Sequence, residues 1–311
     1  ETKDGRRVTL AANIGSVDDA RAALKNGAGG VGLFRTELLY MERETPPTED
    51  EQYAVYREVA EMMHPHCVVI RTLDIGGDKQ TPCLNIPHEE NPFLGWRAIR
   101  ISLTEKDLFK TQLRAILRAS ARTNIRIMYP MIADVTELRK ANAVLRECME
   151  ELKAERTDYD GGIAAGVMIE TPAAAVTADI LIKEASFFSI GTNDLVQYVM
   201  AADRMNGKIS HLCEPLNPGV LRLIRRVIDA SHSAGVPVRM CGEMAGNPQM
   251  TPLLIGLGLD EFSMNAASIP PVKEAIRNMS FERAQTLAAK ALSLDTADEI
   301  AELLATFARS E

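Results

Sequence analysis

The chain has 311 residues, with 35 Lys+Arg against 43 Asp+Glu and a formal net charge of −8. Hydrophobic residues make up 46%, charged residues 25% and aromatics 5%, an ordinary globular composition with ample length for a large core. The acidic balance excludes a bulk nucleic-acid binder, since no basic excess exists to neutralise a phosphate backbone, but it leaves room for a local anion pocket.

The five cysteines (67, 83, 148, 213 and 241) are odd in number, and no two are spaced as Cys-x-x-Cys. Neither a disulfide framework nor a zinc ribbon is indicated, and a reducing, cytoplasmic setting is the expectation. No apolar leader opens the chain and no run approaches about 18 apolar residues, so no membrane insertion is expected. The chain begins at Glu1 and not at Met, the start expected of a fragment or a processed product.

In chain order, eight short apolar runs read as buried parallel strands: Val8–Ile14, Val31–Arg35, Cys67–Leu73, Ile125–Met131, Ala165–Glu170, Phe187–Gly191, Pro237–Cys241 and Glu261–Asn265. Helical patterns separate them. Ser16-x-x-Asp19, Thr48-x-x-Glu51 and Thr104-x-x-Asp107 set a hydroxyl N-cap before an acidic first turn. Thr171-Pro172, Asn217-Pro218 and Asn247-Pro248 set a capping side chain before a first-turn proline. Leu108, Phe109, Leu113, Ile116 and Leu117 form one apolar stripe, and Val220, Leu221, Ile224, Val227 and Ile228 another. From Pro270 the pattern is helical only, with Ser280–Leu292 and Thr296–Arg309 as a C-terminal appendage.

Eight strands alternating with helices predict an α/β fold, a closed (β/α)8 TIM barrel, with an open doubly wound sheet as the alternative. No low-complexity linker interrupts the chain, so residues 1–311 are expected to form one domain. A barrel places its chemistry at the C-terminal strand ends. Those ends carry Asn13, Arg35 and Glu37, Arg71 and Asp74, Glu170, Asn193 and Asp194, Cys241, and Asn265.

Arg35 and Arg71 each close an apolar strand, where solvent access is poor and a charge needs a partner. Each has a nearby carboxylate, Glu37 or Asp74, for a structural ion pair. Two guanidinium forks on adjacent strands equally suit an anion clamp, because they match phosphate or carboxylate oxygens bidentately. Glu170 and Asp194 end successive strands, and two such carboxylates suit Mg²⁺ completed by water and substrate oxygens. A glycosidase-type acid/base pair is the alternative, as is a plain helix-capping role for Asp194. Cys241 closes the seventh strand. No histidine stands at a strand end to activate it, so a protonated thiol acting as general acid fits better than a nucleophile, and a buried structural cysteine remains the plainer reading.

Three further signals carry less. Gly27-Ala-Gly29-Gly-Val-Gly32 matches a dinucleotide fingerprint but precedes its strand, so it reads as a tight turn. His64-Pro-His66-Cys67 enters a strand on the face opposite the active rim and is discounted as a metal site. Arg114, Arg118 and Arg122 recur at helical spacing as a solvated face.

Seven segments carry a resemblance. They are Gly32-Leu-Phe-Arg-Thr-Glu-Leu-Leu-Tyr-Met41, Arg71-Thr-Leu-Asp-Ile-Gly-Gly-Asp-Lys79, Asn91-Pro-Phe-Leu-Gly-Trp-Arg-Ala-Ile-Arg100, Glu170-Thr-Pro-Ala-Ala174, Phe187-Phe-Ser-Ile-Gly-Thr-Asn-Asp-Leu195, Met240-Cys-Gly-Glu-Met-Ala-Gly246 and Gly258-Leu-Asp-Glu-Phe-Ser-Met264. Together they resemble the C-terminal, phosphoenolpyruvate-binding half of the Enzyme I family of the bacterial phosphoenolpyruvate:sugar phosphotransferase system. The resemblance runs through essentially the whole chain.

It implies a (β/α)8 barrel, a homodimer formed through that barrel, and Mg²⁺-dependent use of phosphoenolpyruvate. By motif, Arg35, Arg71 and Arg204 (in Ala201-Ala-Asp-Arg-Met-Asn206) would bind the phosphate, helped by Asn193 and the Asp194 backbone. Arg97 would be a further active-site arginine and Lys79 a phosphate contact. Glu170 and Asp194 would hold Mg²⁺, and Cys241 would protonate enolpyruvate. Arg97, Arg204 and Lys79 are owed to the resemblance alone. The family accepts the phosphoryl group on a histidine of a separate N-terminal domain, which passes it to a histidine-containing phosphocarrier protein. No segment here resembles that domain, so this chain alone is not expected to phosphorylate the carrier. The related half of a pyruvate phosphate dikinase or phosphoenolpyruvate synthase, a non-catalytic phosphoenolpyruvate-sensing module, and a Mg²⁺-dependent aldol-type lyase are the alternatives.

Overall fold

The structure is a computed structural model that describes residues 1–41, 43–77, 79 and 81–309. Asp78, part of one of the seven segments, lies outside the described residues. Eight strands close into a parallel barrel in sequence order: β1 (Thr9–Ile14), β2 (Val31–Arg35), β3 (Val68–Arg71), β4 (Ile125–Tyr129), β5 (Ala164–Ile169), β6 (Phe188–Ile190), β7 (Val238–Met240) and β8 (Glu261–Met264). β1 pairs with β8, with Thr9 opposite Glu261 and Ala12 opposite Met264, which closes the ring and leaves no open sheet edge. The expected strands are all present, several shortened by one or two residues at the C-terminal end. There Leu73, Glu170 and Cys241 leave the ladder, and two of these side chains turn over the barrel mouth.

Two cores explain why the strands are apolar on both faces. Leu33, Val69, Met128, Met168, Phe187 and Cys241 pack inside the barrel. A much larger shell fills the space between strands and helices, where Val220, Leu221, Ile224, Val227 and Ile228 bury one face of helix Pro218–Ser233. Phe109, Leu113, Ile116 and Leu117 do the same for helix Lys106–Ser120. Below the inner core, the Arg126 and Arg239 guanidinium carbons lie 5.9 and 4.8 Å from the Phe187 ring centre, and Arg239 Nε pairs with Glu261 at 2.8 Å. That charged layer fills the end of the barrel opposite the site.

The cap signals divide. Ser16 caps helix Val17–Lys25, Thr48 and Glu51 form a reciprocal capping box on Glu49–Met63, and Thr171 and Asn217 cap as their spacing predicts. Thr104 and Asn247 do not. Thr104 is the last residue of helix Ile99–Thr104, its hydroxyl donating to Arg100 O, and the next helix starts at Lys106 without a side-chain cap. Asn247 accepts from Gln249 N in a turn, and the helix begins four residues later at Thr251. Thr104 lies within the preceding helix, whereas an N-cap has non-helical backbone dihedrals.

The Arg114 stripe also departs from its expected role. Arg114 pairs with Glu49 and Glu155 at 2.7 Å each, and Arg118 pairs with Glu49 and Asp50 at 2.7 Å each. The two arginines therefore tie helix Lys106–Ser120 to Glu49–Met63, and Arg114 to Val135–Ala154, where a solvated face was expected. The appendage is helical as predicted, with Ile269–Arg277, Phe281–Ala291 and Ala297–Ala308, the last opened by a Thr296–Glu299 capping box. All five cysteines are free thiols, and no helix among the described residues is long and apolar enough to cross a membrane.

Candidate active site

The C-terminal mouth of the barrel holds a cavity of about 340 Å³ lined by Arg35, Glu37, Arg71, Asp74, Lys79, Glu170, Asn193, Asp194, Arg204 and Cys241, among others. Of the residues given a substrate, metal or acid role by sequence, only Arg97 is absent from the lining; the strand-end Asn13 and Asn265 do not line it either. Arg97 is 1% exposed and stands behind the wall, bonded to two of the lining carboxylates. All of the expected site residues are thus brought together from β2, β3, the segments after β5 and β6, and the end of β7.

The first group is a lattice of charges on the β2–β3 side. Arg71 Nη2 meets Glu37 Oε1 at 2.6 Å and Nη1 meets Asp74 Oδ2 at 2.8 Å. Lys79 Nζ meets the same two oxygens at 2.8 and 2.9 Å. Arg97 Nη2 meets Asp74 Oδ1 at 3.0 Å. One carboxylate, Asp74, therefore faces three cations. Burial pushes the Glu37 and Asp74 carboxyls up, but Arg71 and Lys79 outweigh it and hold both below the ordinary range. Burial likewise opposes the Arg71 charge, which Asp74 and Glu37 more than restore. The structural ion pairs considered for Arg71 thus form, while its Nε stays buried without a partner.

Arg35 behaves differently. It is exposed, and no ion pair or hydrogen bond engages its side chain among the described residues, contrary to the poor solvent access expected at a strand end. Its guanidinium is free to meet an anion entering the cavity.

The segment between β3 and helix Ile99–Thr104 folds across this lattice. Gly76 has φ +104°, and a Cβ there would stand 2.9 Å from the Arg97 Cα, so glycine is what lets the two stretches of chain meet. Ala98 takes the left-handed φ of 51° immediately after Arg97, and its N–H donates to Ile75 O at 2.9 Å. A non-glycine residue in that region stores strain of about 1 kcal/mol or more, and here it sets the exit of a buried arginine.

The second group lies after β5 and β6. Glu170 is 1% exposed, and its Oε1 accepts from Met131 N at 2.7 Å. Burial and the nearby Asp194 and Asp74 charges raise its carboxyl to about 8. Gly191 makes room for it, since a Cβ there would lie 2.8 Å from Glu170 Oε2. Asp194 opens helix Thr192–Met200, and its Oδ1 receives both Arg97 Nη1 and Arg204 Nη1 at 3.1 Å. Asn193 Oδ1 accepts from Glu243 N at 2.9 Å and joins this loop to the one after β7.

Several functional contacts were not legible in the sequence. Tyr198 donates to Phe93 O and accepts from Arg97 Nη1 at 3.0 Å, while Phe93 lies under both guanidiniums, 5.8 Å from Arg97 and 5.5 Å from Arg204. The four-residue spacing of Asp194 and Tyr198 on one helix was the available signal. Phe93 is brought in by a loop and had none.

Cys241 is 3% exposed, and its Sγ makes a long contact, 3.8 Å, to Ile190 O and lies beside the Ser189 side chain. Burial pushes its thiol up to about 11, so it is protonated at neutral pH. No group of three or more His, Cys, Asp or Glu able to hold a metal occurs among the described residues, His64 and His66 included. Glu170 and Asp194 are a pair of oxygen donors, fewer than such a group requires, with substrate and water left to complete a hard cation's shell.

A family model described as PEP-utilising enzyme, PEP-binding domain, matches residues 1–281. A phosphoenolpyruvate-protein phosphotransferase of Bacillus sp. (strain S) is 55% identical over 299 residues, 96% of this chain and 52% of that protein. That of Haemophilus influenzae is 53% identical over 306 residues, 98% of this chain and 53% of that protein. The chain spans about half the length of the curated relatives it matches. A solved citrate lyase from Burkholderia xenovorans, 16% identical, aligns with a TM-score of 0.54 over 98% of this chain and 92% of that chain, a likeness of fold alone. The match of the family model over nearly the whole barrel, with the charged cavity at its mouth, shows that the chain belongs to the PEP-utilising enzymes and corresponds to their PEP-binding domain.

Proposed function

We propose that the chain binds phosphoenolpyruvate with Mg²⁺ and is the phosphoryl-donor half of a phosphoenolpyruvate-protein phosphotransferase, releasing pyruvate as the phosphoryl group passes to a histidine on a separate domain. The observation that carries this reading is the convergence of four cationic side chains, Arg35, Arg71, Lys79 and Arg204, on one cavity, with Arg97 behind its wall and a protonated thiol at its inner side.

The charges set the substrate class. Five cations face the carboxylates of Glu37, Asp74 and Asp194 and a Glu170 carboxyl raised to about 8, so the mouth has limited positive charge to spare. A substrate with about three negative charges needs more, and buried carboxylates that repel one another suit a divalent cation. The donor set fits one: among the described residues Glu170 keeps Oε2 without a protein donor, and Asp194 lines the same cavity. When bound there, Mg²⁺ would neutralise charge on the phosphoryl and carboxylate oxygens.

The chain's own residues do the rest. Arg35 and Arg71, with Arg204 and Asn193, hold the phosphoryl oxygens, and Lys79 adds a further contact. Arg97 holds Asp74 and Asp194 in place. Phosphoryl transfer is catalysed chiefly by positioning and charge stabilisation, which a preformed lattice supplies without reorganisation. The departing enolpyruvate then takes one proton at C3, and the Cys241 thiol, which lines the cavity and is protonated at neutral pH, can supply it.

In this reading the barrel is also the dimerising part of a cytoplasmic protein, and the histidine-containing phosphocarrier is reached through the separate domain. The test is calorimetric titration of phosphoenolpyruvate into the chain with Mg²⁺ and then with EDTA. Metal-dependent binding is expected; no binding in either condition would overturn the reading. Pyruvate release on adding the phosphohistidine domain in trans separates a phosphotransferase half from a sensor without turnover.

A further inference from the structure

We propose that Asn13 is a positioning residue for Cys241, fixing the main chain at the end of β7 so that the thiol meets one carbon of the bound substrate. The proposal rests on the proton-transfer role of Cys241 and deepens it.

β1 and β7 are not neighbours; β8 runs between them. Asn13, one residue from the end of β1, reaches across that gap, and its Nδ2 donates to Cys241 O at 2.9 Å. The other end of the same amide is engaged too: Ser263 on β8 donates from Oγ to Asn13 Oδ1 at 2.7 Å. One side chain thus joins three strands across the barrel mouth. From the opposite side, Cys241 N donates to Ile190 O at 3.0 Å. The Cys241 peptide is held at both its N–H and its C=O, while the thiol is held more loosely, by a long contact with Ile190 O and beside the Ser189 side chain.

The residue types follow from the geometry. Only an amide can donate at one end and accept at the other in this orientation; a carboxylate accepts alone, and alanine does neither. Ser263 is fully buried, and Gly32 makes room for it, since a Cβ there would lie 2.5 Å from its hydroxyl. Asn13 does not line the 340 Å³ cavity, so it acts through Cys241 and not on substrate.

Proton transfer to carbon depends steeply on alignment, and a displacement of about 1 Å can cost on the order of 10²-fold. Anion binding by the arginines on the other side of the cavity has no such dependence on Asn13. The two should therefore separate.

The test uses the intact chain with Mg²⁺ and pyruvate in D2O. The small thiolate fraction of Cys241, increased by working at about pH 9, removes a methyl proton to give the enolate and a thiol; the thiol exchanges with solvent and returns a deuteron, so pyruvate gains deuterium without net reaction. NMR follows this exchange, and calorimetry follows phosphoenolpyruvate binding. Asn13→Ala and Asn13→Asp are expected to slow exchange by at least about tenfold while binding stays within about twofold. Ser263→Ala should have a smaller effect in the same direction, and Ser263→Thr, which keeps the hydroxyl, should restore exchange.

Wild-type exchange in Asn13→Ala, or equal losses of exchange and binding, would overturn the positioning role while leaving the Cys241 reading intact. Should wild type bind both ligands yet exchange no protons, the Cys241 role falls and this proposal with it. Absence of phosphoenolpyruvate binding in wild type would remove the functional reading itself.

Discussion

Arg97 Nη1 lies 3.1 Å from Asp194 Oδ1, joining a loop after β3 to a helix after β6 across the barrel mouth, with Arg97 1% exposed. The same guanidinium holds Asp74 at 3.0 Å. Two buried carboxylates that follow different strands therefore share this arginine, although Asp74 also has Arg71 and Lys79 and Asp194 also has Arg204; breaking a buried pair from one side costs more than the pair contributes. Arg97→Met is expected to destabilise the chain by about 3–5 kcal/mol, read as a fall in melting temperature, and to abolish phosphoenolpyruvate binding. Arg97→Lys should also lose binding, because a single ammonium cannot bridge both carboxylates and Tyr198. A variant melting like wild type would show that Asp74 and Asp194 do not need it.

Arg35 provides the contrast. It has no ion pair among the described residues and is exposed, so removing it leaves no buried charge behind. Arg35→Ala is expected to keep the wild-type melting temperature and to weaken phosphoenolpyruvate binding by about tenfold or more, the loss of a charge-assisted contact. A drop in stability with binding retained would make Arg35 structural.

Gly242 follows Cys241, and a Cβ there would overlap both the hydroxyl and the backbone nitrogen of Thr192. The clash is with main chain at the start of helix Thr192–Met200, so it cannot be relieved by a rotamer. Gly242→Ala should push the β7 end away from β6, cutting pyruvate methyl exchange by about 10²-fold. Exchange at the wild-type rate would show that this loop yields freely.

The appendage depends on a similar approach. A Cβ at Gly256 would overlap the Ala284 carbonyl, where helices Thr251–Leu257 and Phe281–Ala291 cross. Gly256→Ala is expected to cost about 1–3 kcal/mol by overpacking, measured by denaturant unfolding. An unchanged midpoint would mean the two helices can separate without loss.

Burial holds the Cys241 thiol near 11, against 9.0 for an unperturbed group. Its alkylation by iodoacetamide, followed by mass spectrometry of the Cys241 peptide, should rise about tenfold per pH unit between pH 8 and 10, since only the thiolate reacts. Bound phosphoenolpyruvate should protect it. A plateau reached near pH 8 would mean that a nearby charge offsets the burial, and the general-acid role would lose its basis.

The eight strands were legible because burial on both faces imposes continuous apolar runs, and the strand ends were legible because side chains leaving the ladder turn polar. Arg35, Arg71, Glu170, Asp194 and Cys241 stood out on that ground, and the cavity collects all five. Local competition was harder to see: nothing in Thr104-x-x-Asp107 says that Thr104 is already bonded to Arg100 O in the helix before it.

Sequence alone determined the barrel and the rim at which the charged side chains gather, and pointed to an anionic ligand, since periodicity and residue type are properties of single segments. Only the tertiary structure decided which charges meet. Asp74 faces Arg71, Lys79 and Arg97 because a loop closed at Gly76 returns Arg97 to the β3 end. Asn13 reaches Cys241 because closure of the sheet brings β1 within one strand of β7. Both contacts join residues distant in the chain, and their distances are set by ring closure and loop return, which no local spacing encodes.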